Sequence, residues 1–368
     1  MGSNIISIGL ANPDNQIDQT QVFEFMGKAH GFEGDELNRL KALYRATGIK
    51  SRYSVIPDYS SSHFEEWKFY PKNHQLAPFP STEQRLNLYR NEAAKLSLKS
   101  IQNALSQSRL QAQDFTHLIT ISCTGMYAPG LDIDLVHMLG LNTSIERTCV
   151  NFMGCYAAFT GIKLGDQICR ANPKAKVLIV STELCTIHFQ KESDEDNLLA
   201  NAIFGDGSAA VIMSADKEDA LGEVVLQPNS FLNEIYPEGS SEMAWNIGNH
   251  GFEMRLSTYV PVLIEKGIHQ LVERLKAKAD KPNISHYAFH PGGKRILEVI
   301  ESELGLSKEA DWAGRKTLES YGNMSSPTIL FVIKTLWDSL GKDEQGEQIL
   351  SLAFGPGLTM ESMLLQIA

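Results

Sequence analysis

Two rhythms of apolar and polar positions alternate along this chain, and their order repeats. Residues 4–10 are a short apolar run of strand type, and roughly 18–50 carry apolar positions at helical spacing. Residues 55–80 are broken by Pro57, Pro71, Pro78 and Pro80 and read as an irregular excursion. A long amphipathic helix is expected over about 83–107. From there to about 215, strands alternate with helices, the pattern of a buried sheet covered on both faces. A polar loop is expected at 190–197, and Phe204-Gly-Asp-Gly as a tight turn entering a strand. A second half begins near Leu221 and follows the same plan, with an insertion at 228–255. There is no low-complexity tract or flexible linker, so the two halves should share one rigid core.

The repetition is visible residue by residue. His117-Leu-Ile-Thr-Ile-Ser-Cys-Thr-Gly leads into a helical stretch ending Met138-Leu-Gly-Leu, and His286-Tyr-Ala-Phe-His-Pro-Gly-Gly into one ending Glu303-Leu-Gly-Leu. Val150-Asn-Phe-Met-Gly-Cys155 opens an apolar helix, as does Ser320-Tyr-Gly-Asn323-Met-Ser-Ser. Ala175-Lys-Val-Leu-Ile-Val-Ser-Thr matches Gln348-Ile-Leu-Ser-Leu-Ala-Phe-Gly. Cys123 and Cys155 are 32 residues apart, His290 and Asn323 are 33 apart. Duplicated halves usually pack about a pseudo-twofold axis, where equivalent helix starts converge. The reading is therefore a half at 1–220 carrying the candidate nucleophile Cys155 and a half at 221–368 carrying His290 and Asn323.

Composition narrows the class. The 368 residues carry a net charge of −11, which argues against a general nucleic-acid binder. No run approaches the roughly 20 apolar residues of a membrane-spanning helix, and the N-terminus reads as a strand rather than a signal peptide. The five cysteines (123, 149, 155, 169 and 185) contain no CxxC pair, so neither a disulfide framework nor a zinc site is suggested. A reducing cytoplasm suits an enzyme that needs a free thiol.

The residue types then suggest acyl-transfer chemistry. Cys155 follows a tight Met-Gly turn at the start of a helix, where free amides and the helix dipole favour an anion and should lower the thiol pKa. A small buried cysteine filling a gap is the bland reading, and it fits Cys149, Cys169 and Cys123 as well. His290 ends an apolar strand just before Pro-Gly-Gly, and strand ends of α/β sheets are where sites form. Asn323 could be only a helix cap. As a neutral donor it could instead, with His290, hold a thioester carbonyl and stabilise the enolate left when a malonyl group loses carbon dioxide.

Asn151-Phe-Met-Gly-Cys155-Tyr-Ala-Ala, His290-Pro-Gly-Gly, Tyr321-Gly-Asn323-Met-Ser-Ser, Phe204-Gly-Asp-Gly-Ser-Ala-Ala and Phe354-Gly-Pro-Gly-Leu-Thr together resemble the type III polyketide synthases, the chalcone synthase family. The resemblance runs from about residue 115 to the end. It implies the α/β thiolase fold, five layers α-β-α-β-α built from two pseudo-twofold halves, in a homodimer. It implies that Cys155 carries the acyl chain, and that His290 and Asn323 serve malonyl-CoA decarboxylation and condensation. Phe204 and Phe252 become gatekeepers between a coenzyme A tunnel and the reaction cavity. Acyl-CoA and malonyl-CoA are then the substrates, with no cofactor or metal, and the product closes to a pyrone, a resorcinol or a related ring. An acyl carrier protein is a further candidate starter donor.

Departures from plant members concern the substrate. Cys123, Cys185 and His188 stand where plant chalcone synthases have threonines, and Ala128 stands where they have a methionine reaching towards the partner subunit. The loop before Phe204 is shorter by two residues. Such changes resemble a bacterial member, and small Ala128 suggests room for an alkyl starter. Arg39, Arg45, Lys50, Gly292 and Arg295 are the candidates for coenzyme A contact, although Ala42 and Ala46 stand where basic residues are expected. Pro356 has no backbone N–H, so an oxyanion donor is expected from the Cys155 amide. The runner-up is a ketoacyl-ACP synthase III-like enzyme making one condensation. A non-catalytic scaffold would not need all three of Cys155, His290 and Asn323, and no papain- or caspase-like cysteine signature is present.

Overall fold

The computed structural model describes residues 2–61, 63–73, 75–257, 259–280 and 282–368. The first half runs β1 (Asn4–Ala11), β2 (Asn15–Asp18), α1 (Gln19–His30), α2 (Gly34–Ala46), β3 (Ser51–Ser54), α3 (Thr82–Leu105), β4 (His117–Ser122), α4 (Leu131–Leu139), β5 (Glu146–Asn151), α5 (Ala157–Ala171), β6 (Lys176–Leu184), α6 (Glu195–Ile203) and β7 (Asp206–Ser214). The second runs β8 (Leu226–Ile235), β9 (Met243–Gly248), β10 (Gly251–Leu256), α7 (Val260–Lys278), β11 (Ile284–Phe289), α8 (Lys294–Glu303), α9 (Trp312–Tyr321), α10 (Pro327–Trp337), β12 (Gln348–Gly355) and β13 (Thr359–Ile367).

Local chemistry sets the helix ends. The predicted helical region 18–50 is two helices, because Gly31 adopts φ +69° and turns the chain after α1. The long helix α3 starts at a capping box, in which Ser81 Oγ accepts from Gln84 N at 3.3 Å and Gln84 returns a bond to the Ser81 amide.

Nine strands form a sheet in the order β11-β12-β13-β8-β1-β7-β6-β4-β5. Its two parts repeat one pattern. β4 and β6 are parallel, and β7 returns antiparallel to both β6 and β1. Likewise β11 and β12 are parallel, and β13 returns antiparallel to both β12 and β8. The three sequence pairs thus become structural equivalents. The parts are joined through a single pair, Ile5 with Leu226, and the sheet folds back there. Helix α5 touches β4, β6 and β13, and α10 touches β7 and β11, so these two helices lie between the sheet halves. Outside, α3 covers β1, β6 and β7, while α7 covers β8 and β13 and packs on α8. The result is the five-layered thiolase arrangement.

The expected insertion at 228–255 is corrected. Its first residues belong to β8, which pairs with β13 from Leu226 to Ile235. The true excursion is the β9–β10 hairpin, whose strands pair only with each other. Among the described residues no helix is long and apolar enough to cross a membrane.

Candidate active site

The nucleophile candidate sits in a strained turn. Phe152 and Gly154 have φ of +57° and +74°, and the chain then enters a short 3-10 turn, Gly154–Tyr156, that runs into α5. A Cβ on Gly154 would lie 2.2 Å from Pro356 Cδ, so only glycine lets these two loops meet. The turn brings Cys155 to the ends of β4, β6, β11 and β12, and there a cavity is lined by Cys155, His290 and Asn323 together with Phe204 and Phe252. Two predicted helix starts and one strand end have converged, as the duplication required.

Asn323 is not the cap of α10; that place belongs to Ser326. Its Oδ1 accepts the Ser325 amide at 2.8 Å, while Nδ2 reaches the Gly292 carbonyl at 3.3 Å. Asn323 also donates towards Cys155, as does Ser325, itself held at φ +59°. His290 is 1% exposed, and among the described residues neither ring nitrogen has a hydrogen-bond partner. A buried imidazole left this free is suited to a substrate atom.

The expected low thiol pKa is not what the geometry provides. Burial pushes the Cys155 thiol up to about 11, against hydrogen bonds from Ser325, Asn323 and its own amide. Burial likewise holds His290 down to about 3. The helix start stabilises an anion, but desolvation outweighs it. Burial thus opposes charge on both groups, disfavouring the thiolate and the imidazolium alike.

Sequence reasoning missed Glu183. At the end of β6 and 0% exposed, it accepts from the amides of Cys123 and Thr124 (3.0 Å each at Oε2), from Thr124 Oγ1 at 2.6 Å and from Ser326 Oγ at 3.0 Å. One carboxylate thereby ties β4, β6 and the α10 start together beside the cavity. Desolvation raises its pKa and these bonds oppose the rise. The available signal was a lone acid in the apolar run Val177-Leu-Ile-Val-Ser-Thr-Glu183.

The remaining candidates divide. Cys123, Cys185, His188 and Gly292 line the cavity. Ala128 does not: within one chain it is exposed on the turn after β4. Arg39 and Arg45 are exposed on α2, Lys50 pairs with Glu319, and Arg295 pairs with Glu298 at 3.5 Å. None of these four lines the cavity. Gly48, just past α2, instead lies against Lys294, which adds a basic residue to this rim that the sequence reading had passed over.

The wall contains residues unseen in the sequence. Ile17, Val22, Met26, Tyr59 and Phe189, all buried, extend the cavity under α1. Among the described residues no Asp, Glu or Lys side chain lines it, and the charged residue in its lining, Arg52, gives Nη1 to the Phe204 carbonyl at 2.5 Å.

Comparison with known proteins places the whole chain. The chalcone and stilbene synthase N-terminal domain model matches residues 2–217 and the C-terminal domain model residues 228–368. A probable polyketide synthase of Dictyostelium discoideum is 27% identical over 375 residues, covering 99% of this chain but 11% of that protein. Type III polyketide synthase A of Arabidopsis thaliana is 28% identical over 373 residues, covering 99% and 92%. Among solved structures, the C-terminal type III domain of Steely1, a type I/III hybrid from Dictyostelium, superposes with a TM-score of 0.89 at 26% identity, covering 100% of this chain and 99% of that one. PKS-I of the brown alga Ectocarpus siliculosus superposes at 0.91 with 27% identity, covering 100% and 98%. With both domain models matched in order and the thiolase fold in place, the chain belongs to the chalcone and stilbene synthase family and is a type III polyketide synthase.

Proposed function

We propose that this enzyme loads an aliphatic acyl-CoA starter onto Cys155 and extends it with malonyl-CoA. The observation that carries the assignment is one buried cavity uniting a thiol, an unpartnered imidazole and a carboxamide donor. In loading, the Cys155 sulfur adds to the thioester carbonyl as His290 accepts its proton; the coenzyme A sulfur then leaves and recovers that proton. In extension, Asn323 Nδ2 and a His290 N–H donate to the malonyl thioester oxygen. The bond to the carboxylate breaks, carbon dioxide leaves, and its electron pair forms the enolate. The enolate carbon attacks the acyl-Cys155 carbonyl and expels the Cys155 thiolate. With both nitrogens free, one imidazole can accept at one side and donate at the other. Repetition lengthens the chain, which closes to a pyrone, a resorcinol or a related ring. Arg45, Lys50, Lys294 and Arg295 form the basic rim offered to the coenzyme A phosphates, and five unpaired thiols suit a reducing cytoplasm.

The starter class is argued from the part of the cavity under α1. Ile17, Val22, Met26, Tyr59 and Phe189, all buried, line it with hydrocarbon rather than charge. Each buried methylene is worth about 0.8 kcal/mol, so kcat/KM should rise roughly fourfold per methylene until that space is full. Val22→Phe should move the optimum to shorter starters. A flat profile from acetyl to dodecanoyl, or strict preference for coumaroyl-CoA, would overturn this assignment.

We also propose a homodimer. β5 is a sheet edge with five of its six residues exposed, paired only to β4. The exposed Met126 and Met138 are 43% and 45% accessible on neighbouring segments. An unprotected edge beside apolar side chains is what a protein covers. Light scattering at micromolar concentration should give twice the chain mass; a stable monomer would contradict it.

A further inference from the structure

The β9–β10 hairpin forms part of the cavity roof through Met243, Trp245, Phe252, Met254 and Leu256. Among the described residues it pairs with no strand of the main sheet. A two-stranded ribbon is marginal by itself, so its seat depends on other ties. Trp245 Nε1 donates to the Cys123 carbonyl at 2.7 Å, and Thr82 Oγ1 accepts from the Gly251 amide at 2.9 Å. Gln190 Nε2 reaches the carbonyls of His250 and Phe252 at 3.0 and 3.2 Å.

The tie at Phe252 itself is His188. Its Nδ1 accepts the Phe252 amide at 2.9 Å, and its Nε2 lies 2.6 Å from the Thr124 carbonyl. A carbonyl can only accept and an amide can only donate, so the imidazole must be neutral with its proton on Nε2. The ring also stacks on the Phe252 phenyl, with centroids 4.4 Å apart and planes 8° from parallel, while Trp245 meets both rings edge-on. Burial and the nearby Arg85 guanidinium hold this imidazole down to about 3, so the tie persists across the working pH range. Fit is close here: a Cβ on Gly251 would lie 3.1 Å from His188 Nδ1.

We propose that His188 is a positioning residue that fixes the gatekeeper Phe252 over the acyl chain on Cys155, and so sets how far the chain grows before release. This rests on the polyketide synthase reading of the site. The histidine bridges Phe252 to the Thr124 carbonyl, one residue from the carbonyl that holds Trp245. Hairpin and strand end are thereby locked at adjacent points. Without the bridge, the Phe252 amide loses its acceptor, and the segment is left to the Gly251–Thr82 and Gln190 bonds on either side. The roof loosens, and incompletely extended chains meet water or cyclise early.

Two conservative variants separate the hydrogen bond from mere bulk. Asn at 188 places an acceptor where Nδ1 stands; Gln places a donor near Nε2 and offers nothing to the Phe252 amide. With a fixed starter and malonyl-CoA, the ratio of truncated to full-length products is read by mass, alongside acylation of Cys155. His188→Gln and His188→Ala should raise that ratio roughly tenfold, the scale of one lost buried hydrogen bond. His188→Asn should return it to within about threefold of the wild type. If the Ala variant does not fold, the Asn and Gln pair decides. Wild-type product ratios in the Gln variant, or an Asn variant as impaired as Gln, would overturn the proposal. Failure of the wild type to acylate Cys155 would overturn the underlying catalytic reading instead.

Discussion

Cys155→Ala is expected to abolish product formation, by on the order of 10⁴-fold or more, the scale seen when a covalent nucleophile is removed. The reason is positional. Cys155 is the cysteine at the α5 start, with Ser325, Asn323 and its own amide directed at the sulfur. Incubating the wild type with starter-CoA should add one acyl mass to the peptide carrying Cys155, and the alanine variant should show none. Cys149 is exposed on β5 in the single chain, so an alkylating reagent is expected to reach it only where the proposed dimer leaves that edge open. Starter-CoA should protect Cys155 alone. An acyl adduct on Cys123 or Cys185 with Cys155 unmodified would sink the assignment, since both also line the cavity.

Asn323→Asp should slow malonyl-CoA decarboxylation by roughly 10²-fold or more, the cost of losing one oxyanion donor. The structure makes this variant informative. Asn323 Oδ1 accepts the Ser325 amide at 2.8 Å, and aspartate retains an oxygen there, so the local turn should survive. What changes is Nδ2: a donor becomes a second oxygen facing the developing enolate. Thermal unfolding close to the wild type with a collapsed decarboxylation rate is the expected pairing. Decarboxylation at the wild-type rate would reduce Asn323 to a turn residue.

Some of the site was legible early because it depends on local chemistry repeated along the chain. Cys155 and Asn323 stand out because each opens an apolar helix at equivalent points of two similar segments, and His290 because it ends a strand matched by His117–Ser122. The charge state of these residues was not legible. The helix start argued for a low thiol pKa, a local effect, whereas desolvation by the surrounding chain raised it, and desolvation is a property of the packed whole. Ala128 shows the same limit. Its small size is written in the sequence, but that the turn after β4 faces outwards is not.

By itself, then, the sequence determined the periodicities, the duplication and three candidate reactive groups, because these follow from residue order and from side-chain chemistry. Tertiary structure alone decided which distant segments became walls. The apolar wall formed by Ile17, Val22 and Met26, the carboxylate of Glu183 among three elements, and the clasp of His188 on Phe252 join residues up to hundreds of positions apart. Nothing in the spacing of such residues reports their meeting. Their contacts exist only once the sheet folds back at Ile5 and Leu226 and the β9–β10 hairpin seats itself across the cavity.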